Sequence, residues 1–375
     1  MKRVFLITKG YIPSTAGCNR ELALAKGLGE QGVAVKFVCS RPSENFDKFD
    51  GAIENVEFVY LWDNSKISNQ QINFIRSLCR LFSMIRRGDK ILIFWAKLLV
   101  LPLSWRGADL YHEMTEHPAV CGKAPRSVIF NRVSKSYMRR LRGLKGLFVI
   151  TENLKDYFVS HGVRSERISV VNMVVDPSRF ENVAQSVASE KYIAYCGAVS
   201  VGKDGVDTLI DSFRRVAEKV ADVKLYIIGG FISERDRDII HKCVKDFALQ
   251  DRIVFTGLVD YSRMPELLKG AEALVLARSD NKQATYGFPT KLGEYLLTGK
   301  SVVVTRTGEI DHFLEDMKSA FIVEPNNPDA LAEKIIWALE NPTLSDEIAR
   351  RGQRVAMDSF NYKIESKKIF DTIFN

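Results

Sequence analysis

The stretch that decides the fold is Tyr286-Gly-Phe-Pro-Thr-Lys-Leu-Gly-Glu294-Tyr-Leu-Leu-Thr-Gly299-Lys300. It follows an apolar, strand-like run, Ala273-Leu-Val-Leu-Ala277. A strand, a glycine-bearing turn, a proline at a helix start and a glycine at the helix end make a ready anion site. Pro289 suits a first helical turn, where its missing N–H would be unpaired anyway. Thr290 and the backbone N–H groups beside it would point out of the helix start, where the dipole favours phosphate. Lys291 and Glu294 are three residues apart and share one face, leaving Leu292, Tyr295 and Leu296 for the buried face. N–H donors and a cation suit a diphosphate, and a carboxylate one turn on suits two vicinal ribose hydroxyls. Over these residues alone, an ordinary amphipathic helix with a surface Lys and Glu would read the same.

Outward from this stretch, strands and helices alternate. In the second half, strands are expected at Tyr192–Cys196, Lys224–Ile228, Ile253–Thr256, Ala273–Ala277, Ser301–Thr305 and Ala320–Val323. Helices are expected from about Val206 to Val220 and near 233–248, 262–269, 290–298, 308–315 and 328–340. The first half opens the same way. Arg3–Thr8 reads as a strand, Lys9–Gly17 as a loop, Asn19 to about Leu28 as a helix and Val33–Cys39 as a strand. Val56–Leu61, Leu147–Thr151 and Ile168–Val171 read as further strands, Asn153–His161 as a helix and 69–104 as basic helical segments. Apolar runs rich in β-branched residues suit strands buried on both faces of a parallel sheet. The alternation predicts two doubly wound parallel sheets, each binding ligands at the carboxyl ends of its strands. The polar segment 181–190 reads as a hinge. The expected domains are 1–182 and 183–359, and 375 residues suit two cores better than one.

Two motifs mislead. Gly27-Leu-Gly29-Glu-Gln-Gly32 matches G-x-G-x-x-G, but it ends a helix and precedes a strand. A dinucleotide fingerprint must do the reverse, so it reads as a helix C-terminus with a left-handed glycine. Asp236-Arg-Asp238 lies in a charged helix start rather than at a strand end, which argues against a metal–diphosphate role.

Composition excludes several classes. The hydrophobic fraction, 46%, is that of a globular chain. Six cysteines lie far apart with no C-x-x-C, and five histidines are scattered among them. A zinc site or a disulfide framework is therefore not expected, and a reduced cytosol fits best. Met1-Lys-Arg-Val-Phe-Leu-Ile-Thr8 is too short an apolar start for a signal peptide and reads as a buried strand. The longest apolar stretch, Ile91–Leu103, carries Lys97 and Pro102 and falls short of a spanning helix. Charge is uneven: residues 1–185 carry 28 Lys and Arg against 17 Asp and Glu, and 64–145 carry 16 against 4. Such a field attracts phosphate-rich partners. Combined with the apolar runs Phe74–Ile85 and Ile91–Leu103, it suits an interfacial surface on anionic lipid, with Arg86, Arg87, Arg139 and Arg140 among its cations, against the alternative that the apolar residues are the domain's core and the charges are solvated. No aromatic stacking motif supports nucleic acid.

The 286–294 stretch resembles the sugar-nucleotide motif of glycosyltransferase family 4, in the GT-B superfamily, in its F-P-T-K-x-x-E-Y form. Other segments carry the same resemblance: Val149–Phe158, Ile168–Phe180, Tyr195–Gly205, Leu225–Gly230 and Phe255–Asp260. The family brackets a glycine-rich turn with a Glu–x7–Glu pair. Glu294 matches the second, ribose-binding Glu; the first, donor-sugar position is Tyr286 here. In the family's Gly-Arg…Lys-Gly loop an Arg and a Lys neutralise the diphosphate. Lys203 matches the Lys, the Arg position is Ala198, and Lys291 is the cation available to replace it.

The resemblance implies the GT-B architecture, two Rossmann-like domains facing across a cleft, with a last helix around 360–375 packing back on the first domain. It implies donor contacts from Gly17, Gly197, Gly229, Gly230, Val259, Tyr286, Gly287, Phe288, Pro289, Thr290 and Glu294. In the first domain, Asp109-Leu-Tyr-His112-Glu113-Met-Thr-Glu116-His117 is dense in ionisable groups at an apparent strand end. His beside Glu can relay a proton or clamp a sugar hydroxyl. His112, then Glu113 and Glu116, are the candidates there, against a hydrogen-bonded loop cluster. The activity implied is a retaining glycosyltransferase with a nucleotide-diphosphate sugar as co-substrate, no further cofactor and no required metal. Its acceptor would be a glycan or lipid-linked glycan, on the inner face of the cytoplasmic membrane. A nucleotide-sugar epimerase on the same fold and a non-catalytic nucleotide-sugar-binding protein are the alternatives.

Overall fold

Two parallel sheets, each built from short apolar strands, organise the chain in the computed structural model. The structure describes residues 2–11, 15–39, 48–61, 70–94, 103, 106–118, 120, 141–181, 183 and 190–375. The chain parts into two compact units, Met1–Val174 with Tyr362–Asn375, and Val175–Asn361. The boundary between them falls before residue 182, so the segment 175–181 belongs with the second unit.

In the first unit the strands are β1 (Arg3–Thr8), β2 (Ala34–Cys39), β3 (Val56–Tyr60), β4 (Lys90–Ile93), β5 (Asp109–Met114), β6 (Gly146–Val149) and β7 (Ile168–Val170). Their order across the sheet is 3-2-1-4-5-6-7 and every pairing is parallel. Val4, Phe5, Leu6 and Ile7 are all fully buried, as a strand covered on both faces requires. Helices α1 (Ala16–Glu30), α2 (Gln70–Met84) and α3 (Glu152–Ser160) belong to this unit.

The second unit holds β8 (Lys191–Cys196), β9 (Val223–Ile228), β10 (Ile253–Gly257), β11 (Ala273–Leu276), β12 (Ser301–Thr305) and β13 (Phe321–Val323). Their order, 10-9-8-11-12-13, repeats the first sheet's logic, again wholly parallel. Its helices are α4 (Val201–Asp204), α5 (Val206–Lys219), α6 (Glu234–Asp246), α7 (Met264–Gly270), α8 (Lys282–Tyr286), α9 (Thr290–Leu297), α10 (Pro328–Glu340) and α11 (Pro342–Ser359). The last helix, α12 (Tyr362–Phe374), returns to the first unit. This is a GT-B-like pair of doubly wound Rossmann folds.

The glycines of the misleading motif serve α1. Gly32 is left-handed, with φ 76°, just past the helix end. A Cβ at Gly27 would lie 2.2 Å from the Ser366 hydroxyl, so this glycine lets α12 press on α1. Asp236 is also occupied: its Oδ1 accepts from the Val201 N–H at 3.1 Å, the first residue of α4.

Four expectations need correction. Lys90–Ile93 is a strand within the span read as helical. It sits at the centre of the sheet, hydrogen-bonded to β1 and β5, and follows a turn at Gly88 with φ 84°. The span 308–315 holds only a 3-10 turn, Ile310–His312, rather than a helix. Pro342–Ser359 is an 18-residue helix, and Lys282–Tyr286 a short one, where none was expected. Of the span 69–104 read as helical, residues 69, 95–102 and 104 lie outside the described residues, as do Arg139 and Arg140. Of the apolar run Phe74–Ile85, Leu81 and Ile85 are buried and Ile75 is exposed. Among the described residues no helix is long and apolar enough to cross a membrane.

Candidate functional site

In the second sheet the strand order reverses between β8 and β11, the switch point where doubly wound sheets take ligands. The loop 197–205 leaves β8 there, and the segment 277–289 leaves β11. The two segments touch. The Asn281 side-chain amide donates to the Gly202 carbonyl at 3.0 Å, and a Cβ on Gly205 would fall 2.0 Å from the Ala277 carbonyl oxygen. Gly205 has φ 60°, so both its conformation and its surroundings require glycine.

Helix α9 then carries the motif over this junction. Its buried face is Leu292, Tyr295 and Leu296, each at most 1% exposed. The Tyr295 hydroxyl accepts from the Cys196 N–H at 2.6 Å and donates to the Cys196 carbonyl at 3.2 Å. One side chain thus clamps the helix to the end of β8. The Phe288 ring packs against Phe313 and Phe360, with centroids 5.4 and 5.5 Å away. It anchors the turn from within, leaving backbone as the part of Phe288 available to a ligand. Pro289 is the N-cap and Thr290 the first helical residue, which puts the helix start one residue later than a proline at N1.

Lys291 runs across Gly197. A Cβ there would lie 1.8 Å from Lys291 Cε, and Gly197 has φ 154°. The ammonium meets Asp204 Oδ2 at 2.5 Å and the Tyr195 hydroxyl at 3.1 Å. Their side chains are 20% and 4% exposed, so this is a nearly buried ion pair. Burial lowers the pKa of the Lys291 ammonium, and the Asp204 charge opposes that shift. Burial would raise Asp204, but Lys291 and the Tyr195 hydroxyl outweigh it and its pKa falls below the ordinary carboxylate value. The net charge that Lys291 presents to a ligand is therefore reduced. Lys203 sits in α4 one residue before Asp204, half-buried, with no hydrogen bond or ion pair among the described residues.

Glu294 lies one turn along α9, and Arg179 is its ion-pair partner. Gly229 packs against the same loop: with φ 139°, a Cβ on it would meet the Gly197 carbonyl oxygen at 2.0 Å. Gly230 borders Leu258, which is 89% exposed, and Val259 follows it, half-buried. Tyr286 ends α8 half-buried, and Gly287 caps that helix. The structure therefore gathers Gly197, Lys203, Gly229, Gly287, Pro289, Thr290, Lys291 and Glu294 around one switch point of the second unit. Sequence reasoning missed Asp204, Arg179 and Arg278, which is buried at 3% at the end of β11. The D-G after Lys203 and the R-F after Asp176-Pro-Ser were the only signals, and neither has a fixed meaning without its partner.

The first unit's candidates are placed differently. His112 and Glu113 point to opposite faces of β5, as alternate strand residues do. The Nδ1 of His112, which is 1% exposed, is 2.6 Å from the Ile93 carbonyl of β4. Glu113 is bonded by Arg20 Nη2 at 2.9 Å and Nε at 3.1 Å, and Arg20 also donates to the Val171 carbonyl at 2.8 Å. Glu116 is half-buried. Gly17 sits exposed in the first turn of α1, with open space where a Cβ would be. Glu21, unnoticed in the sequence, accepts from the Thr8 hydroxyl at the end of β1. Burial, with Glu113 nearby, pushes its pKa up to about 8. Among the described residues no group of three or more His, Cys, Asp and Glu is gathered as a metal site would be.

Comparisons with known proteins agree with this layout. A family profile described as Glycosyl transferases group 1 matches residues 190–341, which lie within the second unit and make up most of it. The chain is 22% identical to mannosylfructose-phosphate synthase of Agrobacterium fabrum over 54% of its own length, and it spans about half (46%) of that protein. It is 23% identical to an uncharacterized glycosyltransferase of Methanocaldococcus jannaschii over 80% of this chain and 85% of that one. The crystal structure of Anabaena HepE in complex with UDP and glucose superposes with a TM-score of 0.73 over 99% of both chains, at 17% identity. At that identity the likeness establishes the fold, which is GT-B-like.

Proposed function

We propose that this protein is a retaining glycosyltransferase of family 4, in its F-P-T-K-x-x-E-Y subset, using a nucleotide-diphosphate sugar without a required metal. The observation that carries the reading is the junction over Gly197, where a glycine loop, a strand end and the start of α9 bring Lys203, Lys291 and Glu294 together. The diphosphate is assigned to the α9 start and Lys203. Lys291, balanced by Asp204, sets the potential behind it. Glu294 takes the ribose hydroxyls. The UDP and glucose bound to the Anabaena structure support this class of donor.

Retention follows from front-face attack. The bond from the anomeric carbon to the diphosphate oxygen breaks, and the acceptor oxygen bonds to that carbon on the same face. The acceptor's proton passes to the departing phosphate. The chain's contribution is charge stabilisation on the leaving group and positioning. His112 and Glu116 remain the proposed first-unit contacts. Glu113, tied to Arg20, would act there by holding β5 in place. The acceptor is proposed to be a glycan or lipid-linked glycan, reached from an anionic membrane face through the basic 64–145 region.

A nucleotide-sugar-binding protein without catalysis is the second reading, favoured by the pairing of Lys291 with Asp204 and by Ala198 in place of a cation. One experiment separates them. UDP-, GDP- and ADP-sugars are screened by thermal shift, since a ligand of the folded state raises apparent stability. Slow donor hydrolysis is then followed with the best binder. Catalysis predicts hydrolysis that falls at least about tenfold in Lys203→Ala, with donor affinity changed less. Binding with no hydrolysis selects the second reading, and no shift with any donor removes both.

A further inference from the structure

Three separate pieces of the second unit meet at Arg179: its own 3-10 turn, the loop after β10 and, through Glu294, α9. Arg179 ends the 3-10 turn Pro177–Arg179, and its Nη1 bonds Glu294 Oε1. The guanidinium carbon lies 3.5 Å from the ring centroid of Tyr261, in the loop after β10, and Nη2 is 3.5 Å from the Tyr261 carbonyl oxygen. The Arg179 and Glu294 side chains are 16% and 23% exposed, so water screens them little but still reaches the carboxylate. The turn is itself fixed. Asp176 caps it by accepting from the Ser178 N–H at 3.0 Å, and Lys269 donates to the Phe180 carbonyl at 2.7 Å.

A free Glu on a helix surface samples many rotamers, and holding one costs entropy. A guanidinium stacked on an aromatic ring has one plane and a rigid fork, so it holds a carboxylate with little further loss. An ionised carboxylate offers about four lone-pair sites. Arg179 takes one on Oε1, which leaves Oε2 able to accept from hydroxyls.

We infer that Arg179 is a positioning residue for nucleotide recognition. Seated on Tyr261, it holds the Glu294 carboxylate ready for the two vicinal hydroxyls of a ribose. The inference rests on the assignment of Glu294 to ribose made above. It makes the linking segment 175–180, rather than only the glycine motif, part of the donor site.

The test is isothermal calorimetry on the full chain with UDP, GDP and ADP, each compared with its 2′,3′-dideoxy counterpart. The wild type should prefer the ribonucleotide. Arg179→Met should cut that preference about tenfold while dideoxy affinity stays unchanged. Arg179→Lys should recover only part, lacking the fork and the stack. Tyr261→Leu, which removes the stack and keeps the ion pair, should cut the preference less than Arg179→Met. It also supplies the answer should the Met variant fail to fold. Arg179→Met combined with Glu294→Gln should lose no more than Glu294→Gln alone, the non-additivity of groups acting as one. Full diol preference in folded Arg179→Met and Tyr261→Leu, or tighter ribonucleotide binding in either, overturns the positioning role. Full diol preference in Glu294→Gln overturns the ribose assignment beneath it, as does the absence of binding by all three nucleotides.

Discussion

Arg20 and Glu113 are 3% and 4% exposed and bonded through two guanidinium nitrogens, so each neutralises a charge that the interior would otherwise reject. Removing one partner from such a pair costs more than the pair contributes, because the other is left buried and uncompensated. Glu113→Ala should therefore lower stability by about 3–5 kcal/mol in urea unfolding, with the m-value unchanged. A folded variant of near-native stability and lost turnover would instead make Glu113 a catalytic residue. The sequence placed His112 and Glu113 side by side at a strand end, which is where function gathers in these sheets. It did not show Arg20, 93 residues earlier, because nothing local links an arginine on one helix to a carboxylate on a distant strand. The same blindness hid the Lys291–Asp204 pair. Lys291 was legible as a cation at a helix start, and its counter-charge was not.

At the scale of elements, α9 shows how a short helix can be set rigidly. Eight residues do not hold a helix in water by propensity alone. Its position comes from Leu292 and Leu296 in the core and from the two bonds of Tyr295 to the Cys196 backbone. Tyr295→Phe keeps the ring and orphans a buried N–H, so stability should fall by about 1–3 kcal/mol. Because the helix start would then drift from the glycine loop, nucleotide affinity should fall as well. A stability loss with unchanged nucleotide affinity would show that the clamp serves the fold and not the site. The buried face of α9 was readable from its spacing. Lys90–Ile93 was not readable as a strand, because its three apolar residues run into a longer apolar stretch and carry no period that separates strand from helix.

The whole molecule carries a pH signature through Glu21. Its folded pKa, near 8, lies above the ordinary value of 4.5, so the folded state holds a proton that the unfolded state has released. Stability from this group is fully present below about pH 4.5 and is lost as pH rises through 8. Glu21 is only partly shielded from water, which trims the effect to on the order of 2–4 kcal/mol. Glu21→Gln should flatten the decline in Tm between pH 5 and 9 and should exceed the wild type at pH 9. Parallel Tm–pH curves for the two proteins would show that Glu21 titrates normally. The uneven charge of the chain belongs to this scale too. The sequence made it plain as a count, but which of those cations lie on one surface is a property of the folded unit.

What the sequence determined by itself was the class of fold and the buried face of one strand–turn–helix junction. Buried parallel strands need continuous apolar runs, their crossovers need amphipathic helices, and the spacing of Leu292, Tyr295 and Leu296 marks the face that α9 buries. These are local constraints, written within a dozen residues of one another. Only the tertiary structure decided the strand order, the central place of β4 and the partners of the ionisable groups. Asp204 beneath Lys291, Arg179 beside Glu294 and Arg20 on Glu113 join residues that are far apart in the chain. Charges brought out of water must find each other in space, and the chain records where each one stands but not which will meet.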